Sequence, residues 1–108
     1  MESDRVFKVA VLGSASTSDT SSVWGKAVRI GEAVAARGAV LLTGACPGLP
    51  HAAVLGANSS GGLTVGISPA TNREDHRLTY GYALESRIIL FTGMGTKGRN
   101  VILIRSAD

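Results

Sequence analysis

The sequence predicts an α/β domain built on a parallel sheet with helices on both faces. Three observations carry that expectation. Residues 6–12, 39–42 and 63–67 are short, nearly continuous apolar runs, the pattern of strands covered on both sides. Segments with helical character separate them, giving the order strand, helix, strand, helix, strand. The 108 residues are 44% hydrophobic and 18% charged, which excludes disorder and leaves room for one domain only.

Each element follows in turn. The first strand is expected over 6–12, ending at Gly13, and residues 13–22 form a small polar loop. Val23, Ala27, Ile30 and Val34 then recur at helical spacing until Gly38 closes the pattern as a C-cap. Residues 39–42 make the second strand and enter the turn Thr43-Gly44-Ala45-Cys46-Pro47-Gly48-Leu49-Pro50. An alanine-rich helix runs to about Ser59, and residues 63–67 form the third strand, which ends at Ser68-Pro69. From 70 to 85 the apolar pattern disappears, and a long loop of the kind that is often functional is expected. Residues 87–92 return to strand character and 93–99 form a third glycine-rich turn. The block Val101-Ile102-Leu103-Ile104 suits strand or buried helix, and helix is preferred.

Composition narrows the function classes. A net charge of +3 with no basic run gives no footprint for nucleic acid. No apolar run approaches the roughly 20 residues of a membrane span. Met1-Glu2-Ser3-Asp4-Arg5 sets acid beside base, so no targeting peptide is expected and a cytoplasmic location follows. Cys46 has no second cysteine to bond, and with His51 and His76 as the other soft ligands no metal site is expected.

The glycine turns point to a ligand. Parallel strands bring Gly13, Gly44 and Gly95 to one edge, at the carboxyl ends of the strands, where open α/β sheets bind ligands. Unpaired backbone N–H groups at helix starts attract phosphate, so a phosphorylated small molecule is the expected partner. The plainer alternative is that each glycine only permits a tight turn. Neither GxGxxG after the first strand nor GxxxxGK[ST] is present. Lys97 and Arg99 flank Gly98 at the same edge, and the Arg99 guanidinium could hold a phosphate through two parallel hydrogen bonds. Arg73, Arg77 and Arg105 are read as solvated surface, and His76 likewise. Cys46 could act as a nucleophile with His51 as base, but a small buried cysteine is the preferred reading. Trp24 and Phe91 are expected in the core.

Together the turns carry a resemblance. Val9-Ala10-Val11-Leu12-Gly13-Ser14, the 42–50 turn with Ala52-Ala53, Gly66-Ile67-Ser68-Pro69, and Thr92-Gly93-Met94-Gly95-Thr96-Lys97-Gly98-Arg99-Asn100 resemble the LOG ("Lonely Guy") family and its wider SLOG superfamily in order and spacing. The resemblance covers almost the whole chain. It is closest to the bacterial branch that is also similar to molybdenum cofactor carrier proteins.

It implies a Rossmann-like, doubly wound parallel sheet, truncated before the strand that carries the GGxGTxxE motif. Residues 1–108 are then one incomplete domain, with an unpaired sheet edge that favours a homodimer or higher oligomer. The implied ligand is a phosphorylated nucleotide (AMP-like) or the molybdenum cofactor, with no cofactor required beyond it. Gly13, Ser14, Gly44, Gly48, Gly95, Lys97 and Arg99 are the implied ligand-binding residues. In LOG enzymes, phosphoribohydrolases that cleave the N-glycosidic bond of nucleoside 5′-monophosphates, Arg99 would clamp substrate. The family's catalytic glutamate motif is absent and Asn100 replaces the usual lysine, so binding without hydrolysis is expected of this chain. Hydrolysis by a full-length form is the alternative. Single-stranded DNA handling, as in DNA-processing protein A relatives, is the second.

Overall fold

The structure, a computed structural model, describes residues 5–108. The expectation of no targeting peptide rests on residues 1–5 and so lies almost wholly outside the described residues. Four parallel strands, β1 (Lys8–Ala10), β2 (Val40–Thr43), β3 (Thr64–Ser68) and β4 (Ile88–Phe91), lie side by side in chain order. The register sets Val9 against Leu41, Leu42 against Val65 and Ile67 against Leu90.

Alternation along β2 shows how the sheet is covered. Leu41 packs with Val34 of α1 (Ser22–Ala36) and with Ala53, Val54 and Ala57 of α2 (Leu49–Ser59). The next residue, Leu42, packs with Ile67 and with Leu103 of the C-terminal helix, Gly95–Ser106. Successive strand side chains point to opposite faces, so α1 and α2 cover one face and the last helix the other. This is the doubly wound arrangement that the apolar runs predict.

The α1–α2 pair explains two glycines that periodicity could not. A Cβ on Gly31 would lie 2.7 Å from the Ala53 carbonyl carbon, and one on Gly56 would lie 2.9 Å from that of Val28. The two helix backbones therefore touch directly, through residues without side chains. Ser21 caps α1 by accepting the Val23 N–H at 3.2 Å, and Gly38 follows the helix with φ +70°.

Several expectations need correction. The first strand is confined to Lys8–Ala10, which among the described residues pairs with β2 along one edge; Val6, Phe7 and Leu12 of the expected run stay exposed. At its other edge, Lys8 accepts the Asp108 N–H at 2.9 Å and donates its own N–H to the Asp108 carboxylate at 2.8 Å. Residues 70–85 contain a short helix, α3 (Arg73–Asp75), followed by a π-helical turn, His76–Tyr80, that ends at Gly81 in the left-handed conformation. Polar capping builds this segment. Asn72 accepts the Asp75 N–H at 2.8 Å, and the Asp75 carboxylate accepts from Thr71 N–H at 2.9 Å and Thr79 Oγ1 at 2.5 Å. The third glycine turn is partly helical: the last helix, α4, begins at Gly95, so Lys97 and Arg99 stand on it. Trp24 and Phe91 are half-buried rather than central.

Candidate functional site

The carboxyl ends of β1 and β2 frame a cavity of about 200 Å³. Val11, Leu12 and Gly13 supply the wall after β1, Gly44, Cys46 and Pro50 the wall after β2, and Arg99, Asn100 and Leu103 the wall from α4. Tyr82 closes it from the 70–85 segment.

Arg99 dominates the electrostatics. It is only 6% exposed, its Nη1 donates to the Gly44 carbonyl, and its Nε donates to Asn100 Oδ1 at 2.7 Å. Among the described residues no carboxylate pairs with it; the ion pairs present join Arg5 and Lys8 to Asp108. Buried charge is expensive unless an opposite charge or dense hydrogen bonding offsets it. One backbone carbonyl and one amide leave much of that cost unmet.

Gly44 is what admits the guanidinium. A Cβ there would lie 2.7 Å from Arg99 Cζ and 3.1 Å from Nε. Gly44→Ala is therefore expected to push the guanidinium out of its seat while changing stability by about 1–3 kcal/mol. Anion titration checks this, and a variant that binds anions as the parent does would contradict it.

The expected site residues do not all meet at the cavity. Gly13, Gly44 and Arg99 line it together. Ser14 and Gly48 lie behind it: the Ser14 carbonyl accepts the Leu49 N–H at 2.8 Å, and buried Gly48, at φ +83°, lets the two loops touch. Gly95 donates its N–H to the Pro69 carbonyl at 3.1 Å, and exposed Lys97 stands two residues before Arg99; neither lines the cavity. Arg73, Arg77 and Arg105 are exposed, as expected of solvated surface.

Cys46, read as a small buried cysteine, is half-buried and lies at the cavity wall. Burial pushes its pKa up and the Arg99 charge only partly opposes this, so the thiol stays protonated at neutral pH. His51 packs edge-on against Trp24 at 6.3 Å and has no hydrogen bond to Cys46 among the described residues. Nothing in that pair activates a nucleophile. Among the described residues no cluster of three His, Cys, Asp or Glu is placed to hold a metal ion, and no helix is long and apolar enough to cross a membrane.

His76 overturns its sequence reading most clearly. It is 0% exposed, because the π-helical turn carries it inward onto Ser68 of β3. Ser68 Oγ accepts the Ala70 N–H at 3.0 Å and shares a hydrogen bond with His76 Nδ1, 2.6 Å away. Tyr82 and Phe91 meet the ring edge-on at 5.6 and 6.3 Å.

Burial pushes the imidazole pKa down; Arg99 and Arg73 add to that, while the Ala83 backbone and Asp75 oppose it. A lowered folded pKa means that the unfolded chain takes up the proton first. Stability from neutral His76 is fully present above the unfolded value, about 6.5, and is lost as pH falls through the lowered folded value. Denaturant unfolding between pH 8 and 5 is expected to show this, at no more than about 1.4 kcal/mol per pH unit from one group. His76→Gln should flatten the slope, and an unchanged slope would contradict the assignment. The Asp75 carboxyl is also held down, first by Thr79 and then by Thr71, so its contribution is lost separately, as pH falls below about 3.9.

Comparisons with known proteins agree with this fold. The model of a family described as LDcluster4, SLOG cluster4 family, matches residues 6–108. An uncharacterized protein of Archaeoglobus fulgidus is 40% identical over 82 residues, covering 76% of this chain and 49% of that protein. The molybdenum cofactor binding protein of Rippkaea orientalis superposes with a TM-score of 0.78 at 31% identity, covering 97% of this chain and 60% of its own. The molybdenum cofactor carrier protein of Chlamydomonas reinhardtii gives a TM-score of 0.72 at 28% identity, covering 95% and 58%. The chain thus spans about half to three-fifths of the length of these relatives.

Proposed function

The chain belongs to the SLOG cluster4 family, and from that premise we propose that it binds a phosphate-bearing nucleotide or nucleotide-like cofactor in the Arg99 cavity. One observation carries this function: a guanidinium 6% exposed, lining a cavity, with no carboxylate partner among the described residues. A bound anion supplies the missing charge. The cavity's polar side chains are a guanidinium, an amide, a thiol and a phenol, a set suited to holding an anion and a ring. Two structurally similar proteins are named for molybdenum cofactor binding or carriage, which favours a pterin phosphate as one candidate; a nucleoside monophosphate, which pairs an anion with a ring in the same way, is the other. If the cofactor binds here, Arg99 would take its phosphate; the cofactor would supply the redox-active metal centre, and the protein only its seat.

A homodimer or higher oligomer belongs to the same proposal. It is supported by a groove of about 580 Å³ that α4 leaves over Val40, Val65 and Leu90.

Calorimetry with AMP and with molybdopterin tests the ligand class. Saturable heat with at least one of them is expected. Its absence for both, from a sample with a cooperative melt, would remove the proposal.

A further inference from the structure

Tyr82 is the aromatic member of the lining, and the other walls are aliphatic side chains, glycine backbone and the polar groups around Arg99. Its ring is held in place. His76 meets it at 5.6 Å with an interplanar angle of 77°, and Tyr80 meets it at 5.7 Å with an angle of 43°. His76 is in turn fixed by Ser68 of β3, 2.6 Å from its Nδ1. A rigid path thus runs from the sheet to the cavity wall, through a segment whose apolar content alone would not fix it.

We propose that Tyr82 is a specificity-determining residue whose ring packs on the planar heteroaromatic part of the ligand, a purine or pterin, while Arg99 takes the anionic end. The inference rests on the binding function proposed above and adds the ligand's second chemical feature. A ring already immobilised by His76 and Tyr80 loses little freedom on contact, so it favours flat conjugated ligands over sugar phosphates. Stacking of a base on an aromatic side chain is worth about 5-fold to 150-fold in affinity.

The test compares AMP, molybdopterin and ribose 5-phosphate on the full chain, in parent, Tyr82→Phe and Tyr82→Leu forms, with thermal melts as a folding check. The ring-bearing ligands are expected to bind parent and Tyr82→Phe alike and to bind Tyr82→Leu at least about 5-fold more weakly. Ribose 5-phosphate should bind all three equally. Equal loss of all ligands in Tyr82→Leu, no loss of any, or a loss in Tyr82→Phe as large as in Tyr82→Leu overturns the role of the ring. Should Tyr82→Leu fail to fold, Tyr82→Trp takes its place: retained or tighter binding of the ring-bearing ligands supports the proposal, and weakening confined to them overturns it. A parent chain that takes up none of the three ligands removes the Arg99 function itself, and the inference with it.

Discussion

Arg99→Met is expected to weaken binding of a phosphate-bearing ligand by about 30-fold or more. Truncating one partner of a buried, hydrogen-bonded charge pair costs about 2–5 kcal/mol, and about 1.4 kcal/mol is tenfold in affinity. The effect on folding should be far smaller. Methionine fills much of the same volume and removes a buried cation that has no carboxylate partner among the described residues. Against that gain, the Gly44 carbonyl loses its donor, at about 1–3 kcal/mol. The two terms largely offset, so the melting temperature should stay near that of the parent while affinity collapses. Ligand titration and a thermal melt of the same sample check both halves. Arg99→Lys separates charge from shape: an ammonium keeps the charge but cannot make the paired guanidinium contacts, so intermediate binding is expected.

Gly48→Ala should have the largest effect on folding. At φ +83° and ψ −142°, Gly48 occupies backbone space that is essentially reserved for glycine. A Cβ there would also lie 2.6 Å from the Ala15 carbonyl carbon and 2.7 Å from Ala15 Cα, both backbone atoms that cannot swing away. Backbone strain and overpacking, each about 1–3 kcal/mol, together give about 3 kcal/mol or more. That lowers the melting temperature of a domain this size by about 12 °C or more. Gly61→Ala is the control: Gly61 has φ +74° with nothing within 4 Å of the added carbon, so only the conformational term applies, about 1–2 kcal/mol. Equal melting temperatures for the two variants would show that the contact between the loops after β1 and β2 contributes nothing.

What the sequence disclosed, and what it hid, divides along physical lines. Strands β2 and β3 were legible because Leu41, Leu42 and Ile67 are buried on two faces at once, which produces an unbroken apolar run. β1 carries a similar run, yet Val6, Phe7 and Leu12 stay exposed, since a run of apolar letters does not reveal which elements will cover it. The order of the 70–85 segment is not legible in the apolar pattern because it comes from Asn72 and Asp75 capping. Those caps carry His76 into the interior, where composition alone had placed it in solvent.

The site was legible in part. The glycine turns and Arg99 pointed to the carboxyl edge of the sheet, and Gly13, Gly44 and Arg99 share a cavity there. That Arg99 is buried against the Gly44 carbonyl depends on two residues 55 apart in sequence, a pairing that no local pattern encodes. Tyr82 could have been found as an aromatic within an otherwise polar stretch, but its place at the cavity depends on the buried His76.

The most direct measurement compares AMP with adenosine on the parent chain and on Arg99→Met. If the Arg99 guanidinium is where the ligand's phosphate sits, the parent prefers AMP by about 30-fold or more, and Arg99→Met shows no preference. A parent that binds the two equally, or a preference for AMP that survives in Arg99→Met, would contradict it.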